Sequence, residues 1–459
     1  MTSTRRDWLR GTSAGFGFVA LADLAQRVSA AEQTGEPAEL SPLASKQPHF
    51  PARAKRVIFL CMQGGPSHVD TFDYKPQLEK DHGRNGKYGG SLLKSPWTFD
   101  QHGDSGLWIS DLFPNVAKHA DQLCLMRSMH CDQPVHPGAL TQMHTGTAQF
   151  VRPSLGAWAL YGLGTENDSL PGFISIAPPA GNSNIYGSAF LPSVFGGTKV
   201  GAGGPLARLA RNTSLPDIKN PRLTRTQQAA QLRFVDALNK KHRQQANEHP
   251  GLDGVIQSYE LAFRMQDAIP TVMDLSDETE STLASYGADG GATETFGRQC
   301  LMARRFAEAG VRFIEISHGN WDQHRRLQAD HGARAEACDQ PIAALLTDLD
   351  QRGMLDETLV IWGGEFGRTP SAQGGDGRNH NNKGYTIWMA GGGVRGGMSY
   401  GATDEHGFEA VEKPCHIHDW HATVLHLLGL DHTRLTYNYA GRDFRLTDVH
   451  GNVVHDIIV

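Results

Sequence analysis

A short polar segment in the second half of the chain carries the residue types of a metal site. It runs from residue 315 to 326, reads EISHGNWDQHRR, and places Asp322 and His324 two positions apart. Carboxylate oxygen together with imidazole nitrogen suits a divalent cation such as zinc, manganese or calcium. The alternative, from these residues alone, is a polar loop in which Asp322 caps a turn and His324 is solvated.

Two further segments add potential ligands. Glu365 directly follows an apolar run and is flanked by glycines, and His380 lies in the polar segment GRNHNN. Glu365 is either a metal ligand or part of the N-cap region of a following helix. Arg368, three residues after Glu365, could pair with that carboxylate or bind an anionic oxygen of a substrate.

The segment GGPSHVDTFD offers a rival chemistry. Ser67 follows an apolar run at a sharp turn, as the nucleophilic serine of G-x-S-x-G hydrolases does. The second glycine of that motif is missing here, and Pro66 removes one backbone donor. A serine hydrolase that uses Ser67 is therefore the weaker interpretation.

Apolar runs that predict strands precede these polar segments. The runs are RVIFLCMQ (56–63), LCLMRSMH (123–130), GFISIAPP (172–179), VRFIEIS (311–317), TLVIWGG (358–364) and YTIWMAGGG (385–393). Helical patterns alternate with them, which predicts an α/β protein whose parallel sheet is covered on both faces. Ligands of such sheets bind beyond the carboxyl ends of the strands, so we expect the polar segments to meet there.

One region departs from this alternation. Residues from about 205 to 290 are rich in charge and carry helical patterns without strands, which predicts an inserted helical cap. The total of 459 residues fits one large α/β domain or two smaller ones.

Composition excludes several classes of protein. A net charge of -6 gives no indication of nucleic-acid binding. No run after the N-terminus reaches the ~18 apolar residues of a membrane span. The six cysteines form no C-x-x-C pair, which argues against a zinc ribbon or a thioredoxin-like site.

The N-terminus predicts export. Arg5 and Arg6 precede Trp8 and a Gly/Ala-rich stretch, and small residues precede Ala31. This resembles a twin-arginine signal peptide over residues 1–30, followed by a linker over residues 31–54. The alternative is a short amphipathic helix. We expect a periplasmic or extracellular protein that is exported in its folded state.

Several motifs together resemble one family. GGPSHVDTFDYKP, CLMARRFAEAGVRFIEI, GNWDQH, GEFGRTP and GRNHNNKGY occur in this order. They are similar to the motifs of the DUF1501 family of secreted bacterial proteins, and the resemblance covers the domain predicted at 55–459. That family resembles the alkaline phosphatase and sulfatase superfamily. The resemblance implies a three-layer α/β/α sandwich with a divalent metal ion at the strand ends.

The resemblance also implies roles for single residues. Asp322, His324, Glu365 and His380 match metal-ligand positions of the superfamily. The superfamily usually has a metal-binding aspartate after its first strand, where this chain has Gln63. A nearby carboxylate, Asp70 or Asp73, could replace it if the loop folds back.

The position of the superfamily nucleophile also differs. Relatives have serine, threonine or cysteine at the start of the helix that ends in Thr-Gly, and counting back from Gly146 reaches His136 in this chain. His136 could be a nucleophile, a general acid or base, or a metal ligand. It could also indicate that catalysis has been lost.

We therefore expect an exported, metal-dependent hydrolase of phosphate or sulfate esters. Its substrate would be a small-molecule or polysaccharide ester, with His136 at the reacting centre and Arg368 stabilising an oxygen. The alternative is a non-catalytic binding or assembly protein on the same scaffold. Oligomeric state stays open.

Overall fold

The computed structural model describes residues 42–201, 222–243 and 250–459, with only the backbone for 236–243 and 250–256. The predicted signal peptide (1–30), residues 31–41 of the predicted linker and parts of the predicted helical insertion lie outside the described residues. Among the described residues, no helix combines the length and the apolar character needed to cross a membrane.

A central mixed sheet forms the middle of the molecule. Its nine strands are β1 (Arg56–Met62), β2 (Leu123–His130), β3 (Phe173–Ile176), β4 (Thr198–Val200), β5 (Phe313–His318), β6 (Thr358–Gly363), β7 (Tyr385–Ala390), β8 (Met398–Tyr400) and β9 (Cys415–His416). The spatial order is β8-β2-β7-β6-β1-β5-β3-β4, and β9 pairs with β2. β1 therefore lies near the middle, which is why its apolar run is almost continuous.

The prediction of a parallel sheet is wrong for one strand, β7. β7 runs antiparallel to both β2 and β6, whereas the other neighbouring pairs are parallel. No helix lies between β6 and β7. The chain between them forms a hairpin, Gly367–Gln373 with Gly377–Asn381, and a strand reached without a crossover helix pairs antiparallel.

Helices cover both faces of the sheet. Ten α-helices lie in the described residues: α1 (His68–Thr71), α2 (Pro76–Lys80), α3 (His136–Thr145), α4 (Leu155–Leu163), α5 (Arg225–Arg243), α6 (Pro250–Met273), α7 (Glu280–Ser285), α8 (Glu294–Glu308), α9 (Gly332–Gln351) and α10 (Ile417–Leu427). Three further hairpins lie at the periphery: Phe99–His102 with Leu107–Ser110, Ala402–Thr403 with Ala410–Glu412, and Tyr437–Tyr439 with Arg442–Phe444.

The alternation of side chains along β1 separates two cores. Phe59 and Cys61 face the core that also holds apolar side chains of α3, α4 and α10. Leu60 and Met62 face the core on the other side, with α8 and α9. The result is the three-layer α/β/α sandwich expected from the sequence.

Candidate metal centre

Five of the predicted site residues meet at the carboxyl ends of the strands. Asp322 and His324 lie in the loop after β5, and Glu365 lies two residues after β6. His380 comes from the hairpin that follows β6, and His136 is the first residue of α3, which follows β2. Three strands of one sheet, β2, β5 and β6, therefore deliver these side chains to a single place, as expected.

Three imidazole rings converge on one carboxylate oxygen. Oδ1 of Asp322 lies 3.1 Å from Nε2 of His136, 2.8 Å from Nε2 of His324 and 3.4 Å from Nε2 of His380. One potential ligand atom from each of the four residues lies within 4.8 Å of all the others. We call these four residues the open cluster.

The other nitrogen of each ring is held by an acceptor. Nδ1 of His136 lies 2.6 Å from Oε1 of Glu365, and Nδ1 of His380 lies 2.9 Å from the carbonyl oxygen of Pro134. Nδ1 of His324 lies 2.5 Å from Oε1 of Gln373. Carboxylate and carbonyl oxygens only accept, so Nδ1 carries the proton in each neutral ring and Nε2 presents a lone pair. This second set of contacts is typical of histidines that bind metals.

Glu365 lies behind His136 and holds this ring of the open cluster in place. Its side chain is buried and accepts hydrogen bonds from the backbone N–H of Gly64, at 3.0 and 3.2 Å, besides its contact with His136. Gly64 has φ +110°, and a Cβ there would lie 2.8 Å from the backbone nitrogens of Trp321 and Asp322. A glycine is therefore required at position 64 for the close approach of the loops after β1 and β5.

Arg368 fixes the carboxylate at the centre. Its guanidinium is 1 % exposed and donates to Oδ1 of Asp322 at 2.6 Å and to the carbonyl oxygens of Gly64, Gly65 and Trp321. These contacts engage the guanidinium within the protein and leave it buried. The geometry thus favours a role in orienting Asp322 over direct binding of a substrate oxygen.

The pKa values of His136 and Asp322 are both shifted from their ordinary values. Burial lowers the pKa of His136, but the carboxylates of Asp322 and Glu365 outweigh this effect and raise the pKa to about 9. Burial raises the pKa of Asp322, whereas the neighbouring histidines and Arg368 hold it well below its ordinary range. At neutral pH the metal-free site therefore holds an ionised carboxylate and a protonated His136, and a cation that binds there displaces that proton.

The open cluster is accessible to solvent. The side chain of Asp322 is 42 % exposed, and that of His324 is 36 % exposed. His136 and His380 are less exposed, at 26 and 17 %. A purely structural metal site is closed on all sides, whereas a catalytic site keeps one position open.

Two other predicted residues lie away from the open cluster. Asp70 is fully buried, and Nε and Nη2 of Arg378 donate to its two oxygens at 2.6 and 3.0 Å. Ser67 is also buried and donates to the same carboxylate at 2.5 Å. Asp70 is therefore committed to an ion pair. Ser67 lacks both the exposure and the histidine base that a nucleophile needs.

Asp73 and Gln63, the other two candidates near β1, also contact protein groups away from the open cluster. Asp73 is buried against Lys75, at 3.0 Å, and against the hydroxyl of Thr403. Nε2 of Gln63 donates to Oγ of Ser317 at 3.0 Å. Asp70, Asp73 and Gln63 are therefore all engaged elsewhere, and the loop after β1 supplies no acidic side chain to the open cluster.

The sequence motifs do not single out every contributor. Gln373 and Pro134 hold His324 and His380 in orientation, but one is distant along the chain and the other contributes only a backbone oxygen. No pattern of residue types indicates such contacts. The sequence does contain one indication of a further polar contact in the core. Glu315 is a charged residue inside the apolar run that forms the buried strand β5.

Comparison with solved structures gives resemblances at low identity. A crystal structure of the lipoteichoic acid synthase LtaP from Listeria monocytogenes matches with TM-score 0.38 and 9% identity, over 88% of this chain and 78% of that one. A protein in the alkaline phosphatase superfamily from Vibrio parahaemolyticus matches with TM-score 0.36 and 11% identity, over 90% and 75%. The sulfatase PsFucS1 from Pseudoalteromonas sp. matches with TM-score 0.33 and 14% identity, over 82% and 68%. Because these scores are low, we assign no function from them.

The sequence itself gives a clearer result. No curated protein matches the chain. The family described as protein of unknown function, DUF1501, matches over residues 54–458, which includes every strand and helix described above. The chain therefore belongs to the DUF1501 family.

Proposed function

We propose that the protein is a metal-dependent hydrolase of phosphate or sulfate esters. The observation that carries the proposal is the convergence of three imidazole Nε2 atoms on Oδ1 of Asp322, each ring fixed through its Nδ1. Three lone pairs and one carboxylate charge aimed at one point would repel each other without a cation or a proton between them.

The donor set suits a borderline transition metal. His136, His324, His380 and Asp322 would supply three nitrogens and one oxygen, which favours zinc or manganese over calcium, because calcium takes oxygen ligands. In this proposal His136 is a ligand and Glu365 its hydrogen-bond partner. The sequence-based expectation instead has Glu365 as a ligand and His136 at the reacting centre. The proposal differs because Nε2 of His136, and not a Glu365 oxygen, faces the other ligand atoms.

Each residue has a defined task in the reaction. A bound divalent cation would supply Lewis-acid polarisation of the ester oxygen. Arg368 would keep Asp322 ionised and in place. Glu365 would hold a proton on Nδ1 of His136, so that Nε2 is the nitrogen that faces the metal. Without a nucleophilic side chain in the open cluster, water is the attacking group.

The surroundings suit an anionic ester. His136 begins α3, and the free N–H groups of a helix N-terminus favour negative charge. The exposed edge of Asp322 leaves room for a substrate to approach from solvent. Phosphate and sulfate esters carry the charge and the polarisable oxygens that such a site binds, as small molecules or as part of a polysaccharide.

A second candidate function follows from Arg368 and Gln63. Both side chains are engaged with protein atoms, so neither is free to stabilise a transition state. The open cluster could then bind a metal and an anionic ligand without turnover. Export in the folded state, with residues 1–30 as the signal peptide, is part of the proposal in both cases.

The test measures metal and turnover together. Protein exported by its own N-terminus would be assayed for metal by mass spectrometry and against panels of phosphate and sulfate esters. We expect near-stoichiometric metal at the open cluster and hydrolysis of at least one ester class, with this cluster-bound metal and the turnover both lost in His324→Ala/His380→Ala. His406→Ala is the matched control, because Nε2 of His406 also contacts a carboxylate, Asp81 at 2.9 Å, but belongs to no group of three potential ligands among the described residues.

Three outcomes separate the candidates. Metal with turnover, both dependent on the open cluster, supports the hydrolase. Metal without turnover on either ester panel supports the binding protein. A wild-type protein that holds no metal after reconstitution contradicts both.

A further inference from the structure

A second group of potential ligands lies inside the molecule. Cys61 of β1, Glu315 of β5 and His144 of α3 each offer one ligand atom within 4.8 Å of the other two. Cys61 and Glu315 are 0 % exposed, and His144 is 3 % exposed. The group lies between the sheet and α3, and we call it the buried trio. The open cluster instead lies beyond the strand ends.

The buried trio leaves one charged group incompletely satisfied. Oε1 of Glu315 lies 3.1 Å from Nε2 of His144, but Oε2 is buried without a hydrogen-bond partner. The residue in register on one side is Phe59 of β1, whose ring lies 5.8 Å from that of His144. On the other side is Ser175 of β3, whose Oγ is also buried and unpartnered. An unpaired carboxylate oxygen in such a core is costly, and its retention calls for a cause.

His144 is oriented as a ligand would be. Its Nδ1 lies 2.7 Å from the carbonyl oxygen of Leu140, one turn earlier in α3. A carbonyl only accepts, so Nδ1 carries the proton and Nε2 is turned towards Glu315. This is the arrangement of the rings in the open cluster, repeated eight residues further along the same helix.

We propose that Cys61, His144 and Glu315 form a second, buried metal site that takes a divalent transition metal, zinc above all. Thiolate sulfur, imidazole nitrogen and carboxylate oxygen are the donor types that zinc binds, and the thiolate argues against magnesium or calcium. The charges balance, because one thiolate and one carboxylate neutralise a dication. On binding, the Cys61 thiol releases its proton to solvent and the sulfur binds the metal.

The site has a structural role and does not depend on the proposed hydrolase activity. It would join β1, β5 and α3, the elements that carry the open cluster. The competing arrangement is an ion pair of His144 and Glu315 with Cys61 as an ordinary core thiol. That arrangement leaves Oε2 unpaired, whereas a metal ion bound by both oxygens of Glu315 would give it a partner.

The test uses cobalt(II) as the probe, because a thiolate bound to cobalt absorbs in the near ultraviolet. The full chain would be produced with cobalt in the medium, since the ligands are buried and would be loaded during folding. We expect a sulfur-to-cobalt absorption band and two metal ions per chain. The band should persist in His324→Ala/His380→Ala with half the metal, since the open cluster contains no cysteine.

The variants of the buried trio should behave in the opposite way. Cys61→Ser should lose the band and half of the metal, and Glu315→Gln, which preserves size, should also lose half of the metal. Cys415→Ser is the matched control, because Cys415 is 1 % exposed in the same core but belongs to no group of potential ligands in the part of the chain that the structure describes. A band that survives in Cys61→Ser overturns the proposal.

A measurement on the wild type covers variants that fail to fold. X-ray absorption at the edge of the metal that the protein carries should show one sulfur neighbour for half of the metal. A metal-containing protein without any sulfur neighbour overturns the buried site and leaves the open cluster intact. Sulfur coordination with no metal lost in His324→Ala/His380→Ala supports the buried site and contradicts the proposed function.

Discussion

Two aspartates of this protein illustrate opposite uses of a carboxylate. Asp322 is partly exposed and receives three imidazole rings besides Arg368. Asp70 is fully buried, and Arg378 takes both of its oxygens in a bidentate ion pair. Both follow central strands and both are metal-ligand candidates from the sequence. Their partners decide their roles. Arg368 contacts one oxygen of Asp322, and three imidazole nitrogens face that same oxygen, which favours a cation. Arg378 binds both oxygens of Asp70 and balances their charge within the core.

The largest expected effect is a loss of metal affinity on substitution of Asp322, the partly exposed aspartate. Asp322→Asn removes the charge on which three rings converge. We expect the metal affinity of the open cluster to fall by more than about 100-fold, which exceeds the loss typical of a residue that only orients a ligand. Stability should fall less than in Asp70→Ala, because the asparagine oxygen still accepts from the buried guanidinium of Arg368. Metal titration followed by mass spectrometry measures the first effect, and urea unfolding measures the second.

Asp81→Asn is the matched control for Asp322→Asn. Asp81 also contacts one histidine and one arginine, His406 at 2.9 Å and Arg84 at 2.6 Å, but lies in no group of three potential ligands within residues 42–201, 222–243 and 250–459. Its variant should keep all metal. Equal loss of metal in both variants would show that the convergence at Asp322 has no special role.

The buried member should show the reverse. Asp70→Ala leaves the guanidinium of Arg378 buried without its partner, so we expect a loss of about 3–5 kcal/mol in the free energy of unfolding. Metal bound per folded chain should be unchanged. Urea unfolding of the metal-free protein gives the stability, with the exposed pair variant Asp456→Ala as a control that should behave as wild type.

A double variant separates charge from packing at the same place. Asp70→Leu/Arg378→Met should recover much of the stability lost in Asp70→Ala, because no unpaired charge is left in the core. If Asp70→Ala instead loses metal while staying as stable as wild type, Asp70 is a ligand and its ion pair is not the reason for its burial.

A smaller effect is expected at the residue behind the open cluster. Glu365→Gln keeps the shape of the side chain but weakens the hold on Nδ1 of His136, and we expect about 10–100-fold weaker metal binding. Competition with a chelator of known affinity measures it. Glu357→Gln, in an exposed pair with Lys55, is the control that should leave affinity unchanged. A loss as large as that of Asp322→Asn would make Glu365 a direct ligand.

The smallest effect is a pH dependence. The raised pKa of His136, about 9, means that its proton stabilises the metal-free fold fully below the unfolded value of about 6.5, and that this stability is lost as pH rises through about 9. Metal affinity should rise over the same window, because less proton must be displaced. In Glu365→Gln the rise should move to lower pH. Chelator competition over this range checks it, and a flat profile would contradict it.

The regular elements were largely predictable. The run LCLMRSMH forms β2 from its first residue to its last, and RVIFLCMQ forms β1 up to Met62. Continuous apolar runs and helical periodicity are local features of the sequence. The direction of β7 was not predictable from its own residues, because it depends on the absence of a crossover helix before it.

The candidate site was predictable only as a set of residues. His136, Asp322, His324 and His380 were all singled out, since polar groups after strands gather at one edge of the sheet. Whether His136 or Glu365 faces the centre depends on ring orientation and burial, which spacing does not determine. The buried trio was missed because Cys61, in an apolar run, has the pattern of an ordinary core residue.

The sequence by itself determined the family, the layered fold and the edge of the sheet where chemistry is expected, because hydrophobic periodicity and ordered motifs are properties of the chain. Only the tertiary structure decided which carboxylate meets the three histidines and which has both oxygens bound by an arginine. The reason is physical: Asp70 and Arg378 are 308 positions apart, and His136 and Asp322 are 186 apart. Contacts over such separations are fixed by how strands and loops pack, and local patterns do not record them.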